Sequence, residues 1–144
     1  MRKDMLDNLV KIGELRIRQK DAEKIKSIIK SAENTASVVK SIKLDENSAT
    51  VIFREMYEAI RQLGDAKWWL LGFEPLNHDV SLEILKELDI KERFRLNFLK
   101  RFKKIRNDAN YRGFSVTASQ AKELLDFWDG CGKDIIAILK KELL

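Results

Sequence analysis

The chain has 144 residues, of which 44% are apolar and 35% are charged, and this balance favours one folded domain over residues 1–144 rather than a disordered chain. No apolar run approaches the roughly 18 residues of a membrane span, and the single Cys131 excludes an internal disulfide, so we expect a cytoplasmic protein without a membrane partner. The net charge of +5 favours an anionic partner but does not identify one.

The first two predicted elements are helices. MLDNLVKIGELRIR predicts a short helix with Gly13 near its end or at a bend. An apolar stripe at helical spacing indicates the second helix, which Asp21 is placed to begin. The members of this stripe are Ile25, Ile29, Ala32, Ala36 and Val39.

The third predicted helix lies in SATVIFREMYEAIRQLGDAKWWLLGFEP, with Ser48 as its candidate N-cap and with Gly72 and Pro75 as stop signals. LNHDVSLEILKELDI predicts a short fourth helix that begins near His78. The stripe of the third helix consists of Ile52, Met56, Ala59, Leu63, Ala66 and Leu70.

The fifth predicted helix carries the basic run KERFRLNFLKRFKKI and ends near Gly113. Its expected buried face consists of Phe94, Phe98, Phe102, Ile105 and Ala109. A last long helix begins after a cap at Ser115 or Thr117. No segment alternates convincingly as a strand, so we predict an all-α, up-and-down bundle of about four long helices and one or two short ones.

Several kinds of site are excluded by the residues present. One histidine, His78, and one cysteine, Cys131, are too few for a zinc cluster of cysteines and histidines. Neither a phosphate-binding glycine loop nor a GxSxG nucleophile motif occurs. We therefore expect no metal and no cofactor.

Positive charge is concentrated in residues 91–112, where nine Lys or Arg face only Glu92 and Asp108, a local charge of +7. On a helical wheel with Phe98 at zero, Arg106 lies at about 80°, Asn110 at about 120° and Lys103 at about 140°. This edge brings a guanidinium, an amide and an ammonium together, which suits phosphate oxygens. Alternatively, the run is a solvated surface on which Arg106 covers apolar area.

Two further side chains have alternative interpretations. Tyr111 lies at about 220° on the same wheel and faces away from Arg106 unless the helix unwinds before Gly113. His78 either caps or packs at a helix start, or is a general acid or base recruited from another helix. We expect the core or a subunit interface to hold Trp68, Trp69 and Trp128, and the interior of a helix to hold Cys131.

Three stretches, in this order and spacing, resemble the HEPN superfamily: GELRIRQKDAEKIKSIIKSA, EMYEAIRQLGDAKWWLLGFEPLNHD and KKIRNDANYRG. The resemblance implies a bundle of about five helices that pairs as a homodimer. It also implies a motif of Arg, four to six residues, and His. Arg106 matches the family arginine and Asn107 the polar residue that often follows, but Tyr111 stands where the histidine is expected.

The resemblance implies two activities, because many HEPN members are metal-independent endoribonucleases and others bind nucleotides or RNA without cutting. Some are toxins encoded beside a minimal nucleotidyltransferase antitoxin. Since tyrosine has an ordinary pKa of about 10, it is a poor base at neutral pH. The leading hypothesis is therefore binding of nucleotide or RNA. In this hypothesis Arg106 binds the phosphate, and Asn107 and Asn110 orient the phosphate. Tyr111 stacks on a base or donates a hydrogen bond to the phosphate, and Lys103 adds positive charge.

Two other hypotheses remain open at this stage. The first is an endoribonuclease toxin in which Arg106 acts with Tyr111 or His78 as catalytic residues. The second is an all-α adaptor that binds protein and has no affinity for nucleic acid.

Overall fold

The computed structural model describes all residues from 1 to 144, and the chain is predominantly helical, as predicted. The N-terminal half contains α1 (Lys3–Lys11), β1 (Leu15–Ile17), α2 (Ala22–Lys40), α3 (Ala49–Leu70) and β2 (Phe73–Pro75). The C-terminal half contains α4 (His78–Glu83), two 3-10 helices (Ile84–Glu87 and Arg93–Phe98), α5 (Leu99–Tyr111), α6 (Ala118–Phe127), a π-helical turn (Trp128–Gly132) and α7 (Lys133–Leu143). None of the helices is both long enough and apolar enough to cross a membrane.

The prediction that the chain has no strand is wrong. The strands β1 and β2 pair antiparallel, with Leu15 opposite Pro75 and Ile17 opposite Phe73. Gly13 (φ 80°) and Gly72 (φ 92°) precede the two strands in the left-handed region, which glycine adopts without strain. The helix predicted from MLDNLVKIGELRIR therefore ends before Gly13, and the residues of this stretch that follow Gly13 form the strand β1.

Helix α3 is the central element, because it packs against α2, α4, α5, α6 and α7. The whole predicted stripe of α2 is buried, and the predicted stripe of α3 is buried up to Ala66. The Asp21 carboxylate caps α2 by accepting a hydrogen bond from the Lys24 backbone N–H at 3.1 Å. Ser48 occupies the N-cap position of α3, but its hydroxyl donates to the Lys43 carbonyl and so does not cap the helix.

The prediction of a buried face along the fifth helix is wrong for its first two members, Phe94 and Phe98. Residues 93–98 form a 3-10 helix, in which Leu96 is buried and Phe94 and Phe98 are exposed. The α-helical period applies only from Leu99, and from there Phe102 and Ala109 are buried as predicted. Gly113 has φ 69°, in the left-handed region, and the helix ends near it, as predicted.

The last helical segment begins with Thr117, whose side chain accepts from the Gln120 N–H while the Gln120 side chain accepts from the Thr117 N–H. The π-helical turn then joins α6 to α7. Trp68, Trp69 and Trp128 are buried as predicted. Cys131 is buried too, and burial raises the pKa of its thiol.

Candidate anion-binding site

Arg106 lies close to two tyrosine rings. Its guanidinium carbon Cζ is 5.5 Å from the centre of the Tyr57 ring and 5.9 Å from the centre of the Tyr111 ring. Both separations are within the range of cation–π attraction. Arg106 Nη1 donates a hydrogen bond to Oδ1 of the adjacent Asn107 at 3.2 Å. No carboxylate lies within ion-pair distance of Arg106, which leaves donors of a half-buried guanidinium without a charged partner.

The other arginines show how unusual this placement is. Most of them pair with a carboxylate, namely Arg2, Arg16, Arg18, Arg61, Arg95 and Arg101. The arginines without such a partner are Arg54, Arg93, Arg106 and Arg112, and only Arg106 among them is half-buried. A partly desolvated cation without a counter-ion costs free energy, which the two ring faces offset in part.

Tyr57 is a member of this site that the sequence interpretation missed. Its side chain belongs to α3 and is only 3% exposed. Burial raises the pKa of the Tyr57 hydroxyl to about 12, while the positive charge of Arg106 acts in the opposite direction. The hydroxyl therefore keeps its proton at neutral pH and can donate a hydrogen bond. The signal in the sequence was a tyrosine beside the apolar stripe of a long helix, and core packing explains that pattern equally well.

The predicted orientation of Tyr111 is wrong. Helix α5 stays regular through Tyr111, and the left-handed turn comes only at Gly113. The long side chain nevertheless reaches back to Arg106 without any unwinding. The ring is 76% exposed, so one of its faces is open to a ligand.

Arg54 brings a second guanidinium to the end of α5. It lies one helical turn before Tyr57 on α3, and its Nη2 donates a hydrogen bond to the Ala109 carbonyl at 3.3 Å. Arg54 is exposed and has no carboxylate partner. The sequence offered no reason to place it here, because the contact joins residues that are 55 positions apart.

The remaining predicted site residues are less closely associated with Arg106. The Lys103 ammonium is held by the Asp79 carboxylate at 2.9 Å, which brings the start of α4 beside α5. His78 is exposed and is the first residue of α4, but the cap is Asn77, whose side chain accepts from the Val80 N–H. Asn110 is exposed on α5, one turn after Arg106.

The positive charge of Arg61, one turn beyond Tyr57 on α3, is neutralised inside the fold. Its guanidinium binds the Glu58 carboxylate and also donates to Asp65 Oδ2 at 2.8 Å. The Ser81 hydroxyl donates to Asp65 Oδ1 at 2.5 Å, which ties α3 to α4. Burial raises the pKa of the Asp65 carboxyl, although Ser81 and Arg61 favour its charged form. On this side of α3, Arg54 is thus the arginine left for an external anion, beside Arg106 of α5.

No family model matches the chain, and no curated protein and no solved structure matches it either. The resemblance to the HEPN superfamily therefore depends on the three stretches of the sequence quoted above. No group of three or more His, Cys, Asp or Glu side chains is arranged to hold a metal ion.

Proposed function

We propose that the chain is a HEPN-type protein that binds nucleotide or RNA through phosphate at Arg106. The observation that carries this proposal is the half-buried guanidinium of Arg106, which has two tyrosine rings beside it and no carboxylate within ion-pair distance. Arginine presents a planar fork of donors that matches two phosphate oxygens, and such charge-assisted hydrogen bonds are strong. A bound phosphate would supply the counter-ion that the protein itself does not provide.

Each neighbour of Arg106 has a role in this proposal. The Tyr57 hydroxyl donates to a phosphate oxygen, which its retained proton permits. Arg54 contributes a second cation from α3, and the Asn107 amide orients the Arg106 guanidinium. The open face of Tyr111 stacks on a base. Lys100 and Lys104 are exposed on the same helix and attract an anion from solution.

The resemblance to the HEPN superfamily supports the finer parts of the proposal. They are an up-and-down helical bundle, a homodimer, a minimal nucleotidyltransferase as partner in a toxin–antitoxin-like module, and a cytoplasmic location. Co-expression with the product of a neighbouring nucleotidyltransferase gene, followed by measurement of the mass of the purified complex, tests the dimer and the partner together. A monomer that binds no such partner would contradict both.

The endoribonuclease alternative requires a group that accepts a proton near Arg106. Tyr57 does not meet this requirement at neutral pH, because its pKa is raised to about 12. The tyrosine at position 111 or the exposed His78 would have to act instead. The adaptor alternative requires that neither RNA nor nucleotide binds to the protein. A single experiment on RNA binding and cleavage separates the binding protein, the endoribonuclease and the adaptor.

The experiment measures binding and cleavage of a fluorescein-labelled single-stranded RNA near pH 7.5 at low salt, for wild type, Arg106→Gln and Arg93→Gln. Arg93 is the matched control, because it is an exposed arginine without a carboxylate partner in the same basic segment. We expect Arg106→Gln to weaken binding by about 10- to 100-fold, as for a lost charge-assisted hydrogen bond pair, and Arg93→Gln by less than about 3-fold.

Each other outcome supports a different hypothesis. Cleavage by wild type that Arg106→Gln abolishes would establish the endoribonuclease. Equal losses in the two variants would show that the basic segment acts only through its general charge. Failure of wild type to bind RNA or nucleotide at low salt would contradict the proposal and favour the protein adaptor.

A further inference from the structure

The exposed aromatic side chains are not scattered over the surface. Only four are exposed, namely Phe94, Phe98, Tyr111 and Phe114. Tyr111, which is in contact with Arg106, and Phe114 flank the turn that follows α5, whereas the other two lie in the 3-10 helix before α5. Phe114 is 58% exposed, and neither the sequence nor the proposed phosphate contact explains why an apolar ring should lie there.

The backbone holds Phe114 in place. Gly113, in the left-handed region, reverses the chain, and the Phe114 N–H donates to the Asp108 carbonyl at 3.3 Å. Two residues later the Val116 N–H donates to Thr50 Oγ1 at 3.0 Å, and the Val116 side chain is buried. The segment is therefore fixed on both sides of the ring, and it crosses the first turns of α3.

These first turns of α3 also carry a cation. Thr50 and Arg54 are one helical turn apart on α3, and Arg54 donates to the Ala109 carbonyl of α5. Residues 109–116 thus lie along the same face of α3 that leads from Thr50 through Arg54 to Tyr57. Tyr57 is in contact with Arg106, so this one face connects Phe114 to the proposed phosphate site.

We propose that Phe114 and Tyr111 are base-stacking residues, and that the ligand class of the site is nucleic acid with free bases, that is, single-stranded RNA or a nucleotide. This inference rests on the proposed role of Arg106 in binding phosphate. Every base has a flat face that stacks on an exposed aromatic ring, and an adjacent arginine binds the phosphate of the same strand. A duplex does not fit this arrangement, because its bases are already stacked on one another and hidden from the ring.

The test compares three probes of equal length: single-stranded oligouridylate, a ribose-phosphate backbone without bases, and an RNA duplex. The variants are Phe114→Ala, Phe114→Leu and, as matched control, Phe94→Ala, which removes a similarly exposed phenylalanine from the basic segment. We expect Phe114→Ala and Phe114→Leu to weaken binding of oligouridylate by about 10-fold, as for the loss of one stacked base. Phe94→Ala should bind oligouridylate as wild type does, and binding of the backbone without bases should not respond to either change at Phe114.

Each remaining outcome overturns the inference. Wild-type affinity of Phe114→Leu would mean that position 114 makes only an apolar contact. Backbone or duplex binding as tight as that of oligouridylate would mean that the bases are not used. In these cases a loss of binding in Arg106→Gln would still support the proposed function. If wild type binds none of the three probes and no free nucleotide at low salt, both the inference and the proposed function fail.

Discussion

Tyr57 should make the stability of the fold depend on pH in the alkaline range. Its hydroxyl has a pKa of 10.0 as a free side chain and of about 12 in the folded protein. Because the folded value is the higher one, this contribution to stability is complete below about pH 10 and is lost as pH rises through 12. Tyr57→Phe removes the ionisable group, so the variant lacks this loss.

The magnitude follows from the two pKa values. Each pKa unit is worth about 1.4 kcal/mol, so at pH 11 wild type loses about 1 kcal/mol that Tyr57→Phe keeps, and near pH 12 the difference approaches about 2 kcal/mol. Urea unfolding of both proteins at pH 8 and pH 11 measures this change. Phenolate absorbance gives a second measure, because at pH 11 about a tenth of Tyr57 is ionised in the folded protein and about nine tenths in the unfolded one.

Parallel unfolding free energies of wild type and Tyr57→Phe from pH 8 to pH 11 would refute this reasoning. They would mean that water reaches the hydroxyl freely, and that Tyr57 is not the buried donor beside Arg106. Arg106→Gln provides an internal check, since removal of its positive charge should raise the pKa of Tyr57 further and reduce phenolate absorbance of the folded protein at pH 11.

Two predictions concern elements that hold the site in place. Gly64→Ala should destabilise the fold by about 3 kcal/mol in urea unfolding. The added Cβ would lie 1.9 Å from the Ser81 carbonyl oxygen and would push α4 away from α3. An unchanged midpoint of urea unfolding would contradict this contact. Thr117→Ala should lower the free energy of unfolding by about 1 kcal/mol, because it removes the helix cap that accepts a hydrogen bond from the Gln120 N–H. Ser119→Ala, at an exposed position of the same helix, should change it by less than about 0.5 kcal/mol. Equal effects of the two changes would show that the cap does not contribute.

Long helices with one buried face were predictable from the sequence. The stripe from Ile25 to Val39 is buried because α2 packs one face mainly against α3, with a smaller contact to α7. The strands were not predictable, because each has only three residues and β1 buries only Leu15, which is too short for a visible alternation. The assumption of one helical period across residues 94–109 failed because a 3-10 helix precedes Leu99 and turns Phe94 and Phe98 outward.

The candidate site was predictable only within one helix. Sequence reasoning selected Arg106 because the helical wheel places it beside the buried stripe of α5 and because it matches the arginine of the HEPN motif. The contacts of Tyr57 and Arg54 with α5 join residues 49 and 55 positions apart, which spacing along a single helix does not reveal. The wheel position of Tyr111 was misleading because it gives the direction of the Cα–Cβ bond, whereas a long side chain can reach back toward Arg106.

The central claim is that Arg106 binds phosphate, and the salt dependence of RNA binding tests it most directly. For wild type, Arg106→Gln and Arg93→Gln, the logarithm of the association constant is measured against the logarithm of the salt concentration, with a single-stranded RNA. We predict that Arg106→Gln makes the slope shallower by about 0.7, the value for one lost phosphate contact on a single strand, and that Arg93→Gln keeps the wild-type slope. Superimposable lines for wild type and Arg106→Gln would contradict the claim.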